Sequence, residues 1–122
     1  MYRCLAPACL AISSATAAPA QSVPLSPVVK KDLQCFLLLA AAVGMAEDRA
    51  QKDAGSVGVA YFYGRLKAQA PGLDLVQAAR QELALFDGGA DTQKVAAACD
   101  AEVAAFGDAL IKFGDDLRNA TN

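Results

Sequence analysis

The fold is decided by residues 33–46, LQCFLLLAAAVGMA, a stretch without a charged side chain. Asp32 precedes it, and Glu47 and Asp48 follow it. Leu, Ala and Met favour a helix, and apolar residues all round a helix indicate neighbours on every side. At about 14 residues the stretch is too short to span a bilayer, which needs roughly 20. We therefore expect it to form the central helix of a small domain.

The N-terminal segment is typical of a secretory signal peptide. Residues 1–20 combine a short basic start, an apolar portion and a run of small residues. Small residues spaced as in a signal-peptidase site place the cleavage after Ala20, with Ala17 as the alternative. The 122 residues of the whole chain allow one domain. We therefore predict a single-domain protein exported to the periplasm.

The cysteine count supports export. Cys4 and Cys9 fall in the predicted leader, so the mature chain keeps only Cys35 and Cys99. Two cysteines in an exported domain of this size most simply form one disulfide. The alternative is a pair of buried free thiols in a cytosolic protein.

The domain boundaries follow from capping residues and helix breakers. Prolines and polar residues predict an extended N-terminal arm over 21–31. Ser26 is an alternative, earlier cap for the first helix, because a proline follows it and proline is tolerated at the first helical position; Asp32 is the competing cap. The helical domain is predicted over 32–117 and a polar, frayed tail over 118–122.

Four helices account for the domain. The first covers the central stretch and is allowed to continue as far as Asp53, with Gly55 and Ser56 as its break. The remaining predicted helices are the second over 56–69, the third from a cap at Asp74 to a glycine at 88, and the fourth from a cap at Asp91 to Leu117. Short connections between four helices predict a compact all-α domain around the central helix.

Helical spacing also predicts which side chains are buried. The fourth helix carries one apolar seam, made by Val95, Cys99, Val103, Phe106, Leu110, Phe113 and Leu117. The third helix is expected to bury Leu75, Ala79, Leu83 and Phe86. A stripe of small side chains on the second helix predicts close packing or self-association through Ser56, Ala60, Gly64 and Ala68.

The composition argues against several classes of function. The chain has no histidine, which removes the commonest general base and the commonest transition-metal ligand. No phosphate loop, haem-attachment motif or nucleophile motif is present, and the net charge of −2 without a basic run argues against nucleic acid. We therefore expect no enzyme activity, no cofactor, no metal and no membrane span.

The residues singled out for binding are Tyr61, Tyr63 and Arg65, which could line a ligand or partner surface beside the C-terminal seam. The plainer interpretation is that the tyrosines belong to the core and that Arg65 pairs with Asp74 or another local carboxylate. Carboxylates also crowd the C-terminal third, and we interpret them as helix caps and a solvated face in preference to an acid-sensing surface: Asp87, Asp91, Asp100, Glu102, Asp108, Asp115 and Asp116.

Cysteines in the first and last helices and the aromatic-glycine segment 61–66, YFYGRL, give the chain a family resemblance. Over 32–114 it resembles the small periplasmic HdeA/HdeB acid-stress chaperones and uncharacterised exported proteins of Gram-negative bacteria. The resemblance implies a helical domain with one disulfide, a homodimer, and apolar surface that low pH exposes to unfolding clients. Only Cys35 and Cys99 carry over as matching residues.

Three functions follow as hypotheses for a non-enzymatic exported helical protein. The first is protein binding, chaperone-like in character, in the periplasm. The second is the binding of a small ligand between the aromatic second helix and the C-terminal seam. The third is a role like that of a disulfide-bonded immunity protein against a secreted toxin.

Overall fold

The computed structural model describes residues 24–121, which form helices joined by short turns, and no strand occurs in this range. The helices are α1 Pro27–Met45, α2 Arg49–Gln69, α3 Leu75–Gln81, a 3₁₀ helix Leu83–Asp87, and α4 Ala90–Ala120. The predicted all-α class is therefore confirmed. The predicted leader over 1–20, with its two cleavage sites, lies outside the described residues.

Helix α1 begins at the earlier of the two predicted caps. The Ser26 side chain accepts a hydrogen bond from the Val29 backbone N–H at 3.3 Å, and Pro27 occupies the first helical position. The prediction that the arm extends over 21–31 is therefore wrong for 27–31, which are helical. Asp32 lies inside the helix and is buried. The serine–proline pair therefore determines where α1 begins. The serine hydroxyl accepts a hydrogen bond from a free backbone N–H of the first turn, and proline fixes the backbone angle φ at the first helical position.

The boundary between α1 and α2 differs from the prediction. Helix α1 ends at Met45, and Asp48 caps α2 by accepting from the Ala50 N–H at 3.0 Å. Ser56 does not break α2, since its hydroxyl donates to the Lys52 carbonyl at 2.7 Å inside the continuous helix. The continuation of the first helix to residue 53 and the break at 55–56 were therefore wrong, because an aspartate cap outweighed the glycine–serine pair.

Helices α1 and α2 make the most extensive contact in the described chain, and Gly58 lies at the centre of it, where α4 also packs. A Cβ atom at this position would lie 2.9 Å from Leu39 Cδ1 and 3.1 Å from Val103 Cγ2. The small-residue stripe behaves differently, since all four of its members are exposed and a Cβ at Gly64 would meet nothing within 4 Å. The close packing predicted along the stripe is therefore wrong within the described chain, and the close approach on α2 occurs at Gly58 instead.

Replacing Gly58 by alanine is expected to lower the free energy of unfolding by about 0.5–2 kcal/mol, because overpacking at the contact of three helices outweighs the gain in helix propensity. The matched substitution Gly64→Ala is expected to raise it by about 0.5–1 kcal/mol, because alanine is the better helix former and has open space. Urea unfolding of both variants checks this pair. Equal changes in the two variants would contradict the packing assigned to Gly58.

Helix α3 starts as predicted, with Asp74 accepting from the Val76 and Gln77 N–H groups at 3.0 Å each. The predicted apolar face is only partly correct: Leu75 packs against the core, but Ala78 is the buried residue, and Leu83 and Phe86 are 62% and 43% exposed. The chain tightens into the 3₁₀ helix after residue 82, and its three residues per turn rotate the side chains away from the α-helical register. Gly88 ends this helix with φ 74°, the left-handed conformation predicted for it.

The core consists of two clusters that meet at α1. One contains Val29, Leu33, Leu66 and Ala78, and the other contains Cys35, Phe62 and Cys99. Cys35 and Cys99 form the predicted disulfide, with their Cα atoms 5.4 Å apart. The expectation of neighbours all round the central helix is wrong for the second half of α1, where Met45 is 77% exposed. Among the described elements, α2, α4 and α3 lie against α1, and α3 reaches it only through the cluster that contains Val29 and Leu33.

Helix α4 is longer than predicted at both ends. It starts at Ala90 with Gly89 at the cap position, so Asp91 lies in the first turn and is not the cap. It continues to Ala120, so residues 118–120 are helical and the tail predicted over 118–122 is not frayed there. Only the first half of the predicted seam is packed, because the contacts with α1 and α2 end near Phe106. The second half is exposed.

Candidate functional site

The three residues predicted to share a surface lie on two sides of α2. Tyr61 and Arg65, one helical turn apart, face α4. Tyr63 lies on the other side, with its ring centroid 5.9 Å from that of Phe36 and 5.7 Å from Lys67 Nζ. The prediction of one ligand surface formed by Tyr61, Tyr63 and Arg65 is therefore corrected. Residues two positions apart on a helix point in nearly opposite directions, so Tyr63 cannot share a surface with the other two.

Arg65 joins α2 to both neighbouring helices. Its Nε donates to Asp32 Oδ2 in α1 at 3.0 Å, and its Nη1 donates to Glu102 Oε1 in α4. The Asp32 side chain is fully buried, while that of Arg65 is 31% exposed. The plainer interpretation of Arg65 as an ion-pair residue was right, although its partners are distant in sequence and Asp74 serves instead as the cap of α3.

Further polar groups complete this ion cluster. Arg65 Nη1 also donates to the Tyr61 hydroxyl at 2.9 Å, and that hydroxyl donates to Glu102 Oε1 at 3.3 Å. Lys31 pairs with the other oxygen of Glu102, and Gln69 Nε2 donates to Asp32 Oδ2 at 2.8 Å. Asp32 Oδ1 is buried without a hydrogen-bond partner among the described residues. Through these hydrogen bonds and ion pairs the cluster ties α1, α2 and α4 together.

Hydrogen bonding and charge shift two pKa values within the cluster. The hydrogen bond from Lys31, with the positive charges of Arg65 and Lys31, lowers the pKa of Glu102 against the opposing effect of burial. Burial alone would lower the pKa of Arg65, but the hydrogen bond to Tyr61 and the charges of Asp32 and Glu102 outweigh it and raise that pKa. Both shifts favour the charged pair at neutral pH.

The lowered pKa of Glu102 predicts acid sensitivity. Its stabilising contribution is complete above the ordinary glutamate value of 4.5 and is lost as the pH falls through the lower value of the folded state. We expect wild type to exceed Glu102→Gln in free energy of unfolding by about 1–2 kcal/mol at neutral pH, and this difference to shrink below about pH 4. Thermal unfolding from neutral to acidic pH checks this, with Glu47→Gln as an exposed control. A difference that does not change with pH would contradict the assignment.

A cleft of about 380 Å³ lies between α1 and the first half of α4. Its floor is apolar and includes Val95 and Ala98 beside the disulfide, and Lys31 and Lys94 stand at its rim. The volume falls in the range of small-ligand sites, which starts at about 300 Å³. The cleft is therefore the small-ligand candidate in place of the predicted position.

An apolar face that no described helix covers lies on the second half of α4. Leu110, Phe113 and Leu117 are 51%, 61% and 53% exposed, and every residue from 108 to 121 is exposed. Together with the half-buried Phe106, which stacks on Tyr61 at 4.5 Å between ring centroids, they follow 4, 3, 4 spacing along one side of the helix. We call Phe106, Leu110, Phe113 and Leu117 the α4 apolar face.

Sequence reasoning missed Asp32 and Glu102 as members of the cluster. The sequence pattern indicates Asp32 only as a cap, whereas the structure buries it between Val29 and Leu33. Glu102 was assigned to the solvated carboxylates, although it directly precedes the seam residue Val103. A carboxylate beside an apolar seam, together with an arginine inside an aromatic segment, is the signal in the sequence from which a partly buried ion pair could have been predicted.

The chain matches no protein-family model, no curated protein and no solved structure. Within residues 24–121, no helix is long and apolar enough to cross a membrane. The same residues contain no group of three or more histidine, cysteine or acidic side chains placed to hold a metal ion. The function must therefore be argued from the surface of the fold.

Proposed function

We propose that this is a non-enzymatic, exported helical protein that binds apolar segments of other proteins through the α4 apolar face, in a chaperone-like manner in the periplasm. The single observation that carries the proposal is the exposure of Leu110, Phe113 and Leu117 on the part of α4 that extends past its contacts with α1 and α2. Monomeric proteins rarely leave a contiguous apolar patch uncovered unless it binds something.

The shape and charge of the face favour a protein segment as its occupant. One side of a regular helix offers a strip that an amphipathic or extended chain can lie along. The charged side chains of this region lie off the strip, and the acidic ones outnumber the basic ones: Asp108, Lys112, Asp115, Asp116 and Arg118. An anionic membrane surface would require basic residues in these places.

The disulfide and the leader-like start support an exported location. A disulfide persists in oxidising compartments such as the periplasm. The resemblance to acid-stress chaperones supports the same location and a role in binding unfolded clients. The acid sensitivity expected of Glu102 gives such a role a means of loosening α4 at low pH.

Light scattering tests the proposal directly. Guanidinium-unfolded rhodanese, diluted at neutral pH and at about pH 3, is expected to aggregate less in the presence of the protein. The double variant Leu110→Ser, Phe113→Ser is expected to lose this suppression, because it removes the centre of the α4 apolar face. Met45→Ser is the matched control, since Met45 is also exposed but lies at the end of α1. Aggregation unchanged at stoichiometric excess at both pH values would overturn the proposal.

A second candidate function is the binding of a small apolar ligand with an acidic group in the cleft beside the disulfide. The apolar floor and Lys94 favour this ligand chemistry, while Lys31 is paired with Glu102 and Asp91 also lines the cleft. 1-Anilinonaphthalene-8-sulfonate is a suitable probe. Its fluorescence enhancement should survive Leu110→Ser, Phe113→Ser and disappear on Ala98→Trp, which fills the cleft. Loss in the first variant alone would place the probe on α4 and reject the cleft.

A further inference from the structure

We propose that the cleft beside the disulfide binds a free apolar α-amino acid in its zwitterionic form. The carboxylate group lies at Lys94, the ammonium group lies at Asp91, and the apolar side chain lies on the floor of the cleft. The inference deepens the second candidate function and rests on it, because it names the class of ligand that the same cleft takes. The charges at the rim and the order of polar and apolar residues along α4 support it.

Two opposite charges at the rim of the cleft have no partner in the described part of the chain. Asp91 and Lys94 both line the cleft, and neither forms an ion pair or a side-chain hydrogen bond with another described residue. Lys31 lines it too, but its charge is paired with Glu102. A ligand with an acidic group alone would satisfy Lys94 and meet a like charge at Asp91. A ligand that carries both charges satisfies both residues.

The spacing of these two residues selects a ligand whose charges are adjacent. Asp91 and Lys94 are three positions apart on α4, and residues with this spacing lie on one face of a helix with Cβ atoms about 5–6 Å apart. Their side chains can therefore reach two charges on neighbouring atoms. In an α-amino acid the ammonium and carboxylate groups are attached to the same carbon. A residue inside a peptide has neither group and a terminal residue has only one, so the paired charges favour the free amino acid.

The surroundings of Asp91 place the ammonium group at that end of the cleft. Asp91 also lines an adjoining cleft together with Glu82 and Asp87, and Lys30 of that cleft is paired with Glu82. This end of the rim is therefore acidic. Gln34 lines the cleft beside the disulfide, and its Nε2 donates to Glu82 Oε2 at 2.8 Å. The carbonyl oxygen of Gln34 is left as a further acceptor for an ammonium group.

The other end of the cleft suits an apolar side chain. Val95 and Ala98 follow Asp91 and Lys94 by one helical turn on the same face of α4, and the buried disulfide lies beside them. The cleft therefore changes from polar to apolar along the helix axis. Its volume of about 380 Å³ is within the range of small-ligand sites. Phenylalanine and leucine fit this order, whereas an ionised side chain would lose its hydration on the apolar floor.

Titration of nitrogen-15-labelled protein with phenylalanine, followed by heteronuclear NMR, tests the proposal. We expect saturable shifts of the amides that line the cleft, with a Kd of about 0.1–1 mM. Two matched probes lack one charge each: 3-phenylpropionate has no ammonium group, and phenethylamine has no carboxylate. Each should bind about three- to fivefold more weakly, the factor that one partly exposed ion pair contributes. Glycine has both charges and no side chain, so it should produce no saturable shift.

Substitution of the rim residues assigns each charge to its partner. Lys94→Gln should weaken the binding of phenylalanine and 3-phenylpropionate and leave that of phenethylamine unchanged. Asp91→Asn should weaken phenylalanine and phenethylamine and leave 3-phenylpropionate unchanged or tighter. Lys112→Gln is the matched control, because Lys112 is an exposed lysine of the same helix outside the cleft. All three substituted side chains are exposed, and circular dichroism verifies that the variants keep the fold.

The outcomes separate this inference from both candidate functions. Equal affinity for phenylalanine and the two single-charge probes, equal weakening of all probes by both rim variants, or no saturable shift with phenylalanine would overturn it. If 1-anilinonaphthalene-8-sulfonate occupies the cleft and phenylalanine does not, the second candidate function stands and the amino-acid class is rejected. If neither probe binds, both are rejected. Phenylalanine binding should survive Leu110→Ser, Phe113→Ser, so it does not depend on the client-binding function.

Discussion

Reduction of the Cys35–Cys99 disulfide is expected to lower the free energy of unfolding by about 4 kcal/mol, the chain-entropy value for a loop of this length. The two cysteines are separated by 64 positions, and both are essentially buried. A small domain has only about 5–15 kcal/mol in total, so the bond supplies a large share of it. Urea unfolding with and without reductant measures the change.

The loss is expected to fall unevenly on the helices. Helix α4 makes a much smaller contact with α1 and α2 than these two helices make with each other. The disulfide joins α4 to α1 within this smaller contact. Hydrogen exchange of the reduced protein should therefore show amides of α4 losing protection before those of α1 and α2. The double variant Cys35→Ala, Cys99→Ala should lose more stability than reduced wild type, because it also leaves cavities. Uniform loss of protection would contradict this division.

Substitution of Arg65 by methionine is expected to lower the free energy of unfolding by about 2–4 kcal/mol. Asp32 is fully buried, and without Arg65 its Oδ2 keeps only the hydrogen bond from Gln69. The loss of stability therefore comes mainly from leaving a carboxylate in the core without its cation. Because Arg65 is partly exposed, this loss stays below the largest values found when a fully buried ion pair is broken.

A double-mutant cycle distinguishes this cause from the loss of packing. Removing the charge with Asp32→Asn in the Arg65→Met background should recover part of the stability, because the buried group is then neutral. Arg65→Lys should be less stable than wild type, since an ammonium group lacks the planar guanidinium geometry that donates to Asp32 and Glu102 together. If the double variant is no more stable than Arg65→Met, the buried charge is not the cause.

Local signals in the sequence predicted part of this fold correctly. The all-α class followed from periodicity, the disulfide from the cysteine count, and the start of α3 from Asp74. Ser26 was recognised as an alternative cap and proved to be the real one. Each of these depends on residues a few positions apart, or on composition, so a single sequence contains the information.

The wrong predictions concern contacts between residues that are distant in sequence. The ion cluster joins residues separated by 33 and 37 positions, and nothing local indicates that Asp32 and Glu102 meet the same guanidinium group. The seam on α4 was identified correctly as apolar, but periodicity shows only which side of a helix is apolar. It does not show whether a neighbouring helix reaches far enough to cover that side, and here none of the described helices does beyond Phe106.

The placement of the candidate site shows the same limit. Tyr61, Tyr63 and Arg65 were grouped because they are close in sequence, and the helix separates Tyr63 from the other two. The exposed half of α4 was visible in the sequence as part of the seam, and only the packing of the other helices distinguishes it from the core.

The packed region of α4 ends near Phe106, so the described residues after it contribute little to the stability of the fold. Residues 108–121 contribute no side chain to the core and lie outside the loop closed by the disulfide. Their replacement by polar residues would leave folding almost unaffected, so selection for stability places little restriction on them. If related chains keep leucine and phenylalanine at these positions, that persistence would record selection for binding alone.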